Sequence, residues 1–412
     1  MMRFIVCTLL LLAPGWSASR CRADDETTPR FILHTVDGST APGALAALAA
    51  DWSVTLSGKA AVPGANVVSL RRSDIPLPPP CQEGQIILTN GDRLPAAIAR
   101  LADDRLHPRV TWAEPRTFSL SLSVVSVIWL GEPAGLADID GLQRRWLQEQ
   151  RTADRVLLRN GDQLEGTLIA IESQPDETIP AQLHLEAGGR LRAVERDQVA
   201  AIALNTELAR PLRAKKTYGR LVLRNGGRLS LASARLQEGQ LIGQTLFGIT
   251  LAIPLVEVAG LDLLQGRAVY LSDLKPTAYQ HTPYLGVRWP YAADATVQGQ
   301  DLRLGGSSFD KGIGLRPRAA LTYDVPPGCR FFEALVGLDD RAGRKGSVAI
   351  QVLVDGQLQD IGWDKELRWA DGPRRVRVPV SNARQLTLKV DFGQWTGSVQ
   401  GDVNWADARF LR

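Results

Sequence analysis

The feature that most restricts the fold is a strand–turn–strand phrase that returns along the first two thirds of the chain. Three copies lie at Ile86–Leu94, Val156–Leu164 and Leu221–Leu229, and a degenerate copy lies at Phe31–Ser39. In the three full copies an apolar run leads into Asn-Gly, a pair that accepts the positive φ angles of a type I′ hairpin turn. The phrase therefore predicts a series of β-hairpins.

The spacing of these hairpins predicts tandem units of one architecture. Asn90, Asn160 and Asn225 are 70 and then 65 residues apart, and a regular period is typical of repeated structural units. Further short apolar segments follow each hairpin, with turn residues between them, as in small sandwiches or barrels. We expect five-stranded SH3-like or Sm-like barrels of about 50 residues each. The phrase resembles that of Sm-type barrels, but no RNA-binding function is inferred from it.

The last third of the chain alternates apolar and polar residues with a period of two. The segments Ala349–Val354, Arg375–Val380 and Gln385–Val390 show this pattern most clearly, and it is the pattern of half-buried β-strands. We expect an antiparallel β-sandwich of the jelly-roll, galactose-binding-like type. The predicted fold class of the whole chain is therefore all-β.

Two segments look like connectors. Asp138–Arg155 is the best helix candidate, since Leu142, Trp146 and Leu147 share one face, and Pro76–Pro80 has the composition of an extended linker. The predicted domains are a signal peptide at 1–23, a degenerate β repeat at 28–75, barrel repeats at 83–133, 155–208 and 217–265, a helical connector at 134–154, and a sandwich at 268–412.

The N-terminus has the pattern of a bacterial-type secretory signal peptide. Arg3 precedes an apolar run, Phe4–Pro14, and Cys21–Ala23 offers a loose cleavage site before Asp24. The run is too short to span a bilayer, so a retained anchor is the weaker alternative. Arg20 argues against lipid attachment at Cys21, because that processing site requires a small residue there. The prediction is a secreted protein, or one of the periplasm or cell envelope.

Charge and cysteine content limit the partners. The formal net charge is +4, from 48 basic and 44 acidic residues, and the densest basic spot is Arg213–Lys216. Nucleic-acid binding would require a basic stripe, so no nucleic-acid partner is predicted. No stretch of the mature chain is apolar for eighteen residues, so no integral membrane span is predicted. Cys81 and Cys329 form no metal motif, and we expect two separate thiols.

Signatures of enzymes are missing from the sequence. The four histidines are scattered, and there is no His-Glu-x-x-His, no Gly-x-Ser-x-Gly and no phosphate-binding loop. We therefore expect a non-catalytic protein. Glycoside hydrolysis needs only two suitably spaced carboxylates, so a hydrolase with an unrecognised site stays open as an alternative.

Four segments of the last domain together resemble a known family. They are Lys311–Gly314, Val336–Asp340, Gly346–Gly356 and Asp402–Arg409, with a lead-in at Val269–Pro276. In this order they resemble the NPCBM/NEW2 family of carbohydrate-binding modules, which are often found beside glycoside hydrolases. The resemblance implies that the last domain recognises a glycan.

The resemblance and the chemistry of sugars select candidate site residues. Apolar pyranose faces stack on aromatic rings, and hydroxyls suit planar Asp, Asn and Arg side chains. We expect Trp395 or Trp405 to stack, while Arg316 stands where the family usually has a histidine. The candidate carbohydrate-binding residues are Arg316, Asp339, Asp340, Trp395, Asn404 and Trp405.

The adjacent carboxylates Asp339 and Asp340 can hold a cation, so a structural calcium ion is the one cofactor that this sequence suggests. The alternative for this pair is a solvated turn. The predicted function is a secreted, non-catalytic carbohydrate-binding protein. The main alternative is a structural protein of the cell envelope that binds protein partners through the repeats.

Overall fold

A computed structural model describes residues 28–82, 84–135, 138–172, 181–283, 286–364, 366–393 and 400–412. These residues form antiparallel sheets with a single α-helix among them, so the predicted all-β fold class is confirmed. The predicted signal peptide lies outside the described residues. Among the described residues, no helix is both long and apolar enough to cross a membrane.

Four units of strands occupy the first two thirds of the chain. The first unit contains β1 (Arg30–Thr35), β2 (Thr40–Leu48), β3 (Val54–Leu56) and β4 (Val67–Arg72). The second contains β5 (Gln85–Leu88), β6 (Arg93–Pro95), β7 (Ala97–Ala102), β8 (Arg105–Arg109), β9 (Leu120–Ser121) and β10 (Val125–Trp129). The third contains β11 (Asp154–Leu158), β12 (Gln163–Ile171), β13 (Gln182–Ala187), β14 (Arg190–Glu195) and β15 (Val199–Ala203). The fourth contains β16 (Tyr218–Leu223), β17 (Arg228–Gln237), β18 (Gln240–Thr245), β19 (Thr250–Pro254) and β20 (Val258–Leu264).

The four units share one strand order. In each, the first strand pairs antiparallel with the strand after the hairpin and also with the last strand of the unit. A short 3-10 helix precedes the last strand every time; these helices are Gly64–Asn66, Leu122–Val124, Arg196–Gln198 and Leu255–Glu257. The degenerate segment Phe31–Ser39 therefore has the same local topology as the full copies.

The Asn-Gly phrase forms hairpin turns, but the predicted turn type is wrong. In the second unit the Gly91 N–H donates to Leu88 O at 2.9 Å, and only Gly91 of the Asn-Gly pair has positive φ, at 80°. This is the hydrogen bond of a three-residue loop with a bulged glycine, whereas a type I′ turn needs positive φ at both central residues. Asn90 contributes its side chain instead, because its Oδ1 accepts from the Asp92 N–H at 3.1 Å.

The prediction of closed barrels is also wrong. Among the pairings of the described residues, the last strand of each unit pairs with another unit instead of closing its own sheet: β4 pairs with β20, and β10 pairs with β15. A strand has only two edges, and the first strand of the unit occupies the other one. The first unit is thus joined to the fourth, and the second to the third.

The two junctions between units have equivalent registers. Leu70 faces Leu261 in one and Ile128 faces Ile202 in the other, each at the fourth position of its strand. Each pair of units is therefore related by an approximate two-fold axis through that residue pair. Pairing also covers strand edges that would otherwise expose unsatisfied backbone groups.

The predicted helix is confirmed but shorter than expected. α1 (Ile139–Gln148) begins after Asp138, whose Oδ1 accepts from the Gly141 N–H at 2.9 Å, and it ends before Glu149. Trp146 is 2% exposed and packs edge-on against Trp129 with ring centroids 6.2 Å apart. The helix therefore covers the junction between the second and third units.

The last domain is the predicted two-sheet sandwich. Its strands are β21 (Ala268–Tyr270), β22 (Ala278–His281), β23 (Ala292–Ala293), β24 (Leu302–Leu304), β25 (Ser307–Phe309), β26 (Gly312–Leu315), β27 (Ala319–Asp324), β28 (Phe331–Leu338), β29 (Ser347–Val354), β30 (Gln357–Leu358), β31 (Glu366–Arg368), β32 (Arg374–Pro379), β33 (Gln385–Phe392) and β34 (Val403–Leu411). One sheet has the order β23-β26-β34-β28-β32, and the other has the order β22-β27-β33-β29-β30. Their inner faces enclose one apolar core.

A buried carboxylate joins the sandwich to the first unit. Glu333 on β28 accepts from Arg409 Nη2 at 2.7 Å and from Arg377 Nη1 at 3.2 Å. His34 on β1 lies 2.9 Å from the same carboxylate, and Arg377 also donates to Asp37 O at 2.6 Å. Burial alone would raise the pKa of Glu333, but the bonds to His34 and Arg409 lower this pKa to about 2.

We expect Glu333→Gln to destabilise the protein at neutral pH. A folded-state pKa of about 2 against an ordinary 4.5 corresponds to about 3 kcal/mol of unfolding free energy. Because the folded pKa is depressed, this contribution is complete above about pH 4.5 and disappears as the pH falls towards 2. Urea unfolding of both proteins between pH 3 and 7 measures the difference. Glu186→Gln, at an exposed position, is the control, and a constant difference across that range would contradict the assignment.

Candidate functional site

The site begins where two paired strands end. β26 and β34 run antiparallel with Leu315 opposite Val403, so the residues just beyond, Arg316 and Asp402, are neighbours. Their side chains form an ion pair, with Arg316 Nε 3.2 Å from Asp402 Oδ1. Close backbone approach explains the glycines of β26, since a Cβ on Gly312 would meet Trp405 O of β34 at 2.5 Å and one on Gly314 would meet Ala295 O at 2.6 Å.

Arg316 also lies against an aromatic ring. Its guanidinium carbon is 3.9 Å from the ring centroid of Trp289, within the range of a cation–π interaction. Trp289 is half-buried, and its backbone is fixed by Tyr279 Oη, which donates to Trp289 O at 2.6 Å. The Trp289 N–H donates to His281 Nδ1 at 3.3 Å. An open cavity of about 570 Å³ lies here, lined by Tyr279, Gln280, His281, Thr282, Arg288, Trp289 and Pro290.

Behind this surface lies a buried polar pair. Asn404 Nδ2 donates to Asp339 Oδ2 at 2.7 Å, and the Asp339 N–H donates to Asp402 O at 2.9 Å. Asp339 is 4% exposed and Asn404 is 1% exposed. Burial raises the pKa of Asp339, and it also raises the pKa of Asp402 although Arg316 lowers it. The pair fixes the backbone that carries Asp402.

Asp340 turns away from its neighbour. Its two carboxylate oxygens accept from the N–H groups of Gly305 and Gly306 at 2.9 and 2.8 Å, and so hold the β24–β25 turn. The adjacent carboxylates of Asp339 and Asp340 therefore serve different partners. Among the described residues, no group of three or more acidic, histidine or cysteine side chains is arranged to hold a metal ion.

The predicted stacking role of Trp405 does not fit the structure. Trp405 is 0% exposed and belongs to the sandwich core, because it lies on the inward face of the central strand β34. A fully buried ring offers no face to a sugar. The other predicted stacking residue, Trp395, lies outside the described residues.

The structure thus brings Arg316, Asp339 and Asn404 together and places Asp340 beside them in a structural role. Three residues of the site were not predicted from the sequence: Trp289, Asp402 and Gln298. The Nε2 of Gln298 donates to Asp402 Oδ2 at 3.3 Å. One signal was present for Trp289, because it stands between Arg288 and a proline instead of in an alternating strand. That context favours a surface ring over a core ring.

The last domain is thus an antiparallel sandwich that carries a half-buried tryptophan and planar polar groups at one strand end. Residues 267–411 match the NPCBM/NEW2 domain. The chain therefore contains an NPCBM/NEW2 domain in its last third, and the family resemblance seen in the sequence is confirmed.

Three known proteins illustrate the likeness. A Renibacterium salmoninarum protein named "Putative endo-alpha-N-acetylgalactosaminidase" is 32% identical over 118 residues, which are 28% of this chain and 8% of that protein. The CBM51 of Clostridium perfringens GH95, solved with methyl-galactose, is 24% identical, with a TM-score of 0.31, over 35% of this chain and 99% of that one. The tandem CBM51 modules of Streptococcus pneumoniae Sp3GH98 are 13% identical, with a TM-score of 0.31, over 79% of this chain and 87% of that one. The chain thus spans a small part of the curated relative.

We expect Asn404→Asp to destabilise the protein strongly at neutral pH. It would place a second carboxylate next to Asp339 in a buried site, at a cost of about 3 kcal/mol. At low pH one of the two buried carboxylates takes up a proton, which removes the repulsion between them. The loss of stability should therefore be smaller at pH 4.5 than at pH 7. Thermal unfolding across this range measures the effect. Asn382→Asp, at an exposed turn, is the matched control, and equal stability of the Asn404→Asp variant at pH 7 would rule out the buried pair.

Proposed function

We propose that this chain is a secreted, non-catalytic carbohydrate-binding protein whose sandwich binds a glycan beside Trp289, Arg316 and Asp402. The observation that carries the proposal is the arrangement of Arg316. Its guanidinium contacts the Trp289 ring and the Asp402 carboxylate, yet 22% of its side chain stays exposed. Trp289 itself lines the open cavity. A fixed and partly exposed guanidinium can donate two parallel hydrogen bonds to neighbouring hydroxyls.

The physical chemistry of the site suits a sugar. The exposed part of the Trp289 ring offers an apolar face, and Asp402 offers carboxylate oxygens that accept hydroxyl protons. Because the cavity is open, a bound sugar would keep much of its hydration. We therefore expect affinities in the millimolar to micromolar range, which correspond to about 4 to 8 kcal/mol.

Secretion and the non-catalytic role are supported by the sequence and by the family match. Secretion is supported by the signal-peptide pattern of the N-terminus. The non-catalytic role is supported by the missing enzyme motifs and by the match of the last domain to a binding-module family. Calcium is not part of the proposed site, because Asp339 and Asp340 direct their oxygens to separate partners. Its effect on binding is measured in the experiment below.

The proposal is tested by titrating the full chain with neutral sugars, among them galactosides and N-acetylgalactosamine, by calorimetry with and without calcium. N-acetylgalactosamine is included because the name of the Renibacterium relative contains that sugar. Saturable binding of one sugar class would support the proposal. Binding of none of them would favour the structural alternative, in which the repeats contact protein partners.

For the sugar found, we expect Arg316→Ala to weaken binding at least about tenfold, because a hydrogen bond to a charged group contributes about 1.5 to 3 kcal/mol. Arg384→Ala, at an exposed arginine before β33, is the matched control. Circular dichroism confirms that both variants fold. Undiminished affinity of the Arg316→Ala variant would remove this residue from the site.

A further inference from the structure

A second cavity lies between the repeat units and the sandwich. Two adjoining chambers of about 250 and 270 Å³ share the lining residues Arg71, Leu77, Phe309 and Asp407. The first chamber lies between β1 and β4 of the first unit and β28 of the sandwich, and the second lies between β16 and β20 of the fourth unit and β25. We call the two chambers together the central cleft. Their combined size falls within the range of about 300 to 1,000 Å³ that is usual for small-molecule sites.

Asp407 directs a carboxylate into this cleft from a strained position. β34 carries a bulge here, since Glu333 faces Arg409 while Leu335 faces Ala406, which leaves an additional residue on β34. Asp407 has a φ of 49°, and its N–H donates to Lys311 O at 2.9 Å. Bulges often re-aim a side chain at a functional site, and a non-glycine residue with positive φ is uncommon.

Among the described residues, no donor lies within hydrogen-bonding distance of the Asp407 carboxylate. Its nearest cations are Arg71 Nη2 at 3.6 Å and Arg409 Nη1 at 3.9 Å, both beyond hydrogen-bonding distance. Arg71 instead donates to Asp262, and Arg409 donates to Glu333 at 2.7 Å. The carboxylate oxygens can therefore accept hydrogen bonds from a ligand.

Two further polar atoms without partners in the described part of the chain lie behind the lining of the second chamber, where neither is exposed to solvent. Ser308 is 2% exposed, and neither its Oγ nor Oδ2 of Asp310 has a hydrogen-bond partner among the described residues. Oδ1 of Asp310 is held by Arg228 Nε at 3.1 Å, so the orientation of this carboxylate is fixed. Buried polar atoms in folded proteins are nearly always satisfied, by protein groups, by water or by a ligand.

The rest of the lining fits a neutral, ring-shaped molecule. Phe309 is half-buried and forms, with Leu77, an apolar wall shared by both chambers. Six arginine or lysine side chains and five carboxylates line the cleft, so their charges nearly cancel. Apolar ring faces and several hydroxyls are the features of a saccharide that such a lining matches.

We propose that the central cleft is a second saccharide site, which takes a neutral mono- or disaccharide with its apolar face on Phe309 and its hydroxyls on Asp407. This site is separate from the one beside Arg316. The two lie at opposite ends of the β26–β34 strand pair, about 15 Å apart for five residues of strand. Since the cleft has walls from the repeats and from the sandwich, it exists only in the full chain.

The experiment uses the full chain carrying Arg316→Ala, so that the site beside Trp289 is weakened. Methyl β-galactoside, N-acetylgalactosamine, lactose and cellobiose are titrated into this protein by calorimetry. We expect one of them to retain saturable binding, and adding Asp407→Asn to weaken it at least about tenfold. Asparagine tolerates positive φ, so this change should keep the bulge and the fold. Asp324→Asn, at an exposed carboxylate on β27, is the matched control.

Two further readouts locate the binding. Phe309→Leu keeps an apolar side chain but removes the flat ring, so it should also weaken binding in the same background. Hydrogen exchange should show sugar-dependent protection of residues 302–311 in the Arg316→Ala protein and not after Asp407→Asn. The proposal is overturned if none of the four sugars binds the Arg316→Ala protein, or if Asp407→Asn leaves the affinity unchanged. In the wild-type chain, Asp407→Asn alone should leave binding beside Trp289 intact, which separates a failure of this proposal from a failure of the first.

Discussion

Backbone pairing between the last strands of different repeat units sets the arrangement of the whole chain. β4 and β20 are joined through Leu70 and Leu261 although the two residues are far apart in sequence. The pairing brings the fourth unit beside the first, and the chain then leads from β20 into β21, which pairs with β34. The sandwich is thus held next to the first unit. Both the buried contact at Glu333 and the central cleft depend on this arrangement.

Ion pairs at the junction then fix the orientation of the sandwich. Glu333 takes Arg409 and Arg377 from its own domain and His34 from the first unit, while Arg144 of α1 pairs with Asp301. Compared with an apolar contact of the same size, buried pairs of this kind add little stability, because desolvation offsets their attraction, but breaking one is costly. These ion pairs therefore determine the orientation of the sandwich against the repeat units more than they increase the stability of the contact. Since Arg71 and Arg409 have other partners, Asp407 stays available in the cleft.

The sequence was informative where a local pattern decides the structure. Asn-Gly located three hairpins and the period of two located β29, β32 and β33, because both signals act within a few residues. Turn type was missed because Asn90 works through its side chain and not through positive φ. Barrel closure was missed because the competing partner of β4 lies in another unit. Trp405 was misplaced because an alternating strand shows which residues share a face, but not which face is buried.

The alternating apolar pattern of β34 changes at Asp407, and this change is visible in the sequence. Val403 and Trp405 face the core, so strict alternation would direct Asp407 inwards as well, yet Ala408 and Phe410 are the next residues in the core. The additional residue of the bulge shifts the alternation of inward-facing residues by one position. The Asp407 carboxylate therefore lies outside the apolar core, where an unpaired charge would cost several kcal/mol. An acidic residue at the point where the apolar pattern shifts by one position therefore indicates a bulge that reorients its carboxylate. In this chain the shift delivers a carboxylate with unfilled hydrogen-bonding capacity to the cleft that the repeat units and the sandwich form together.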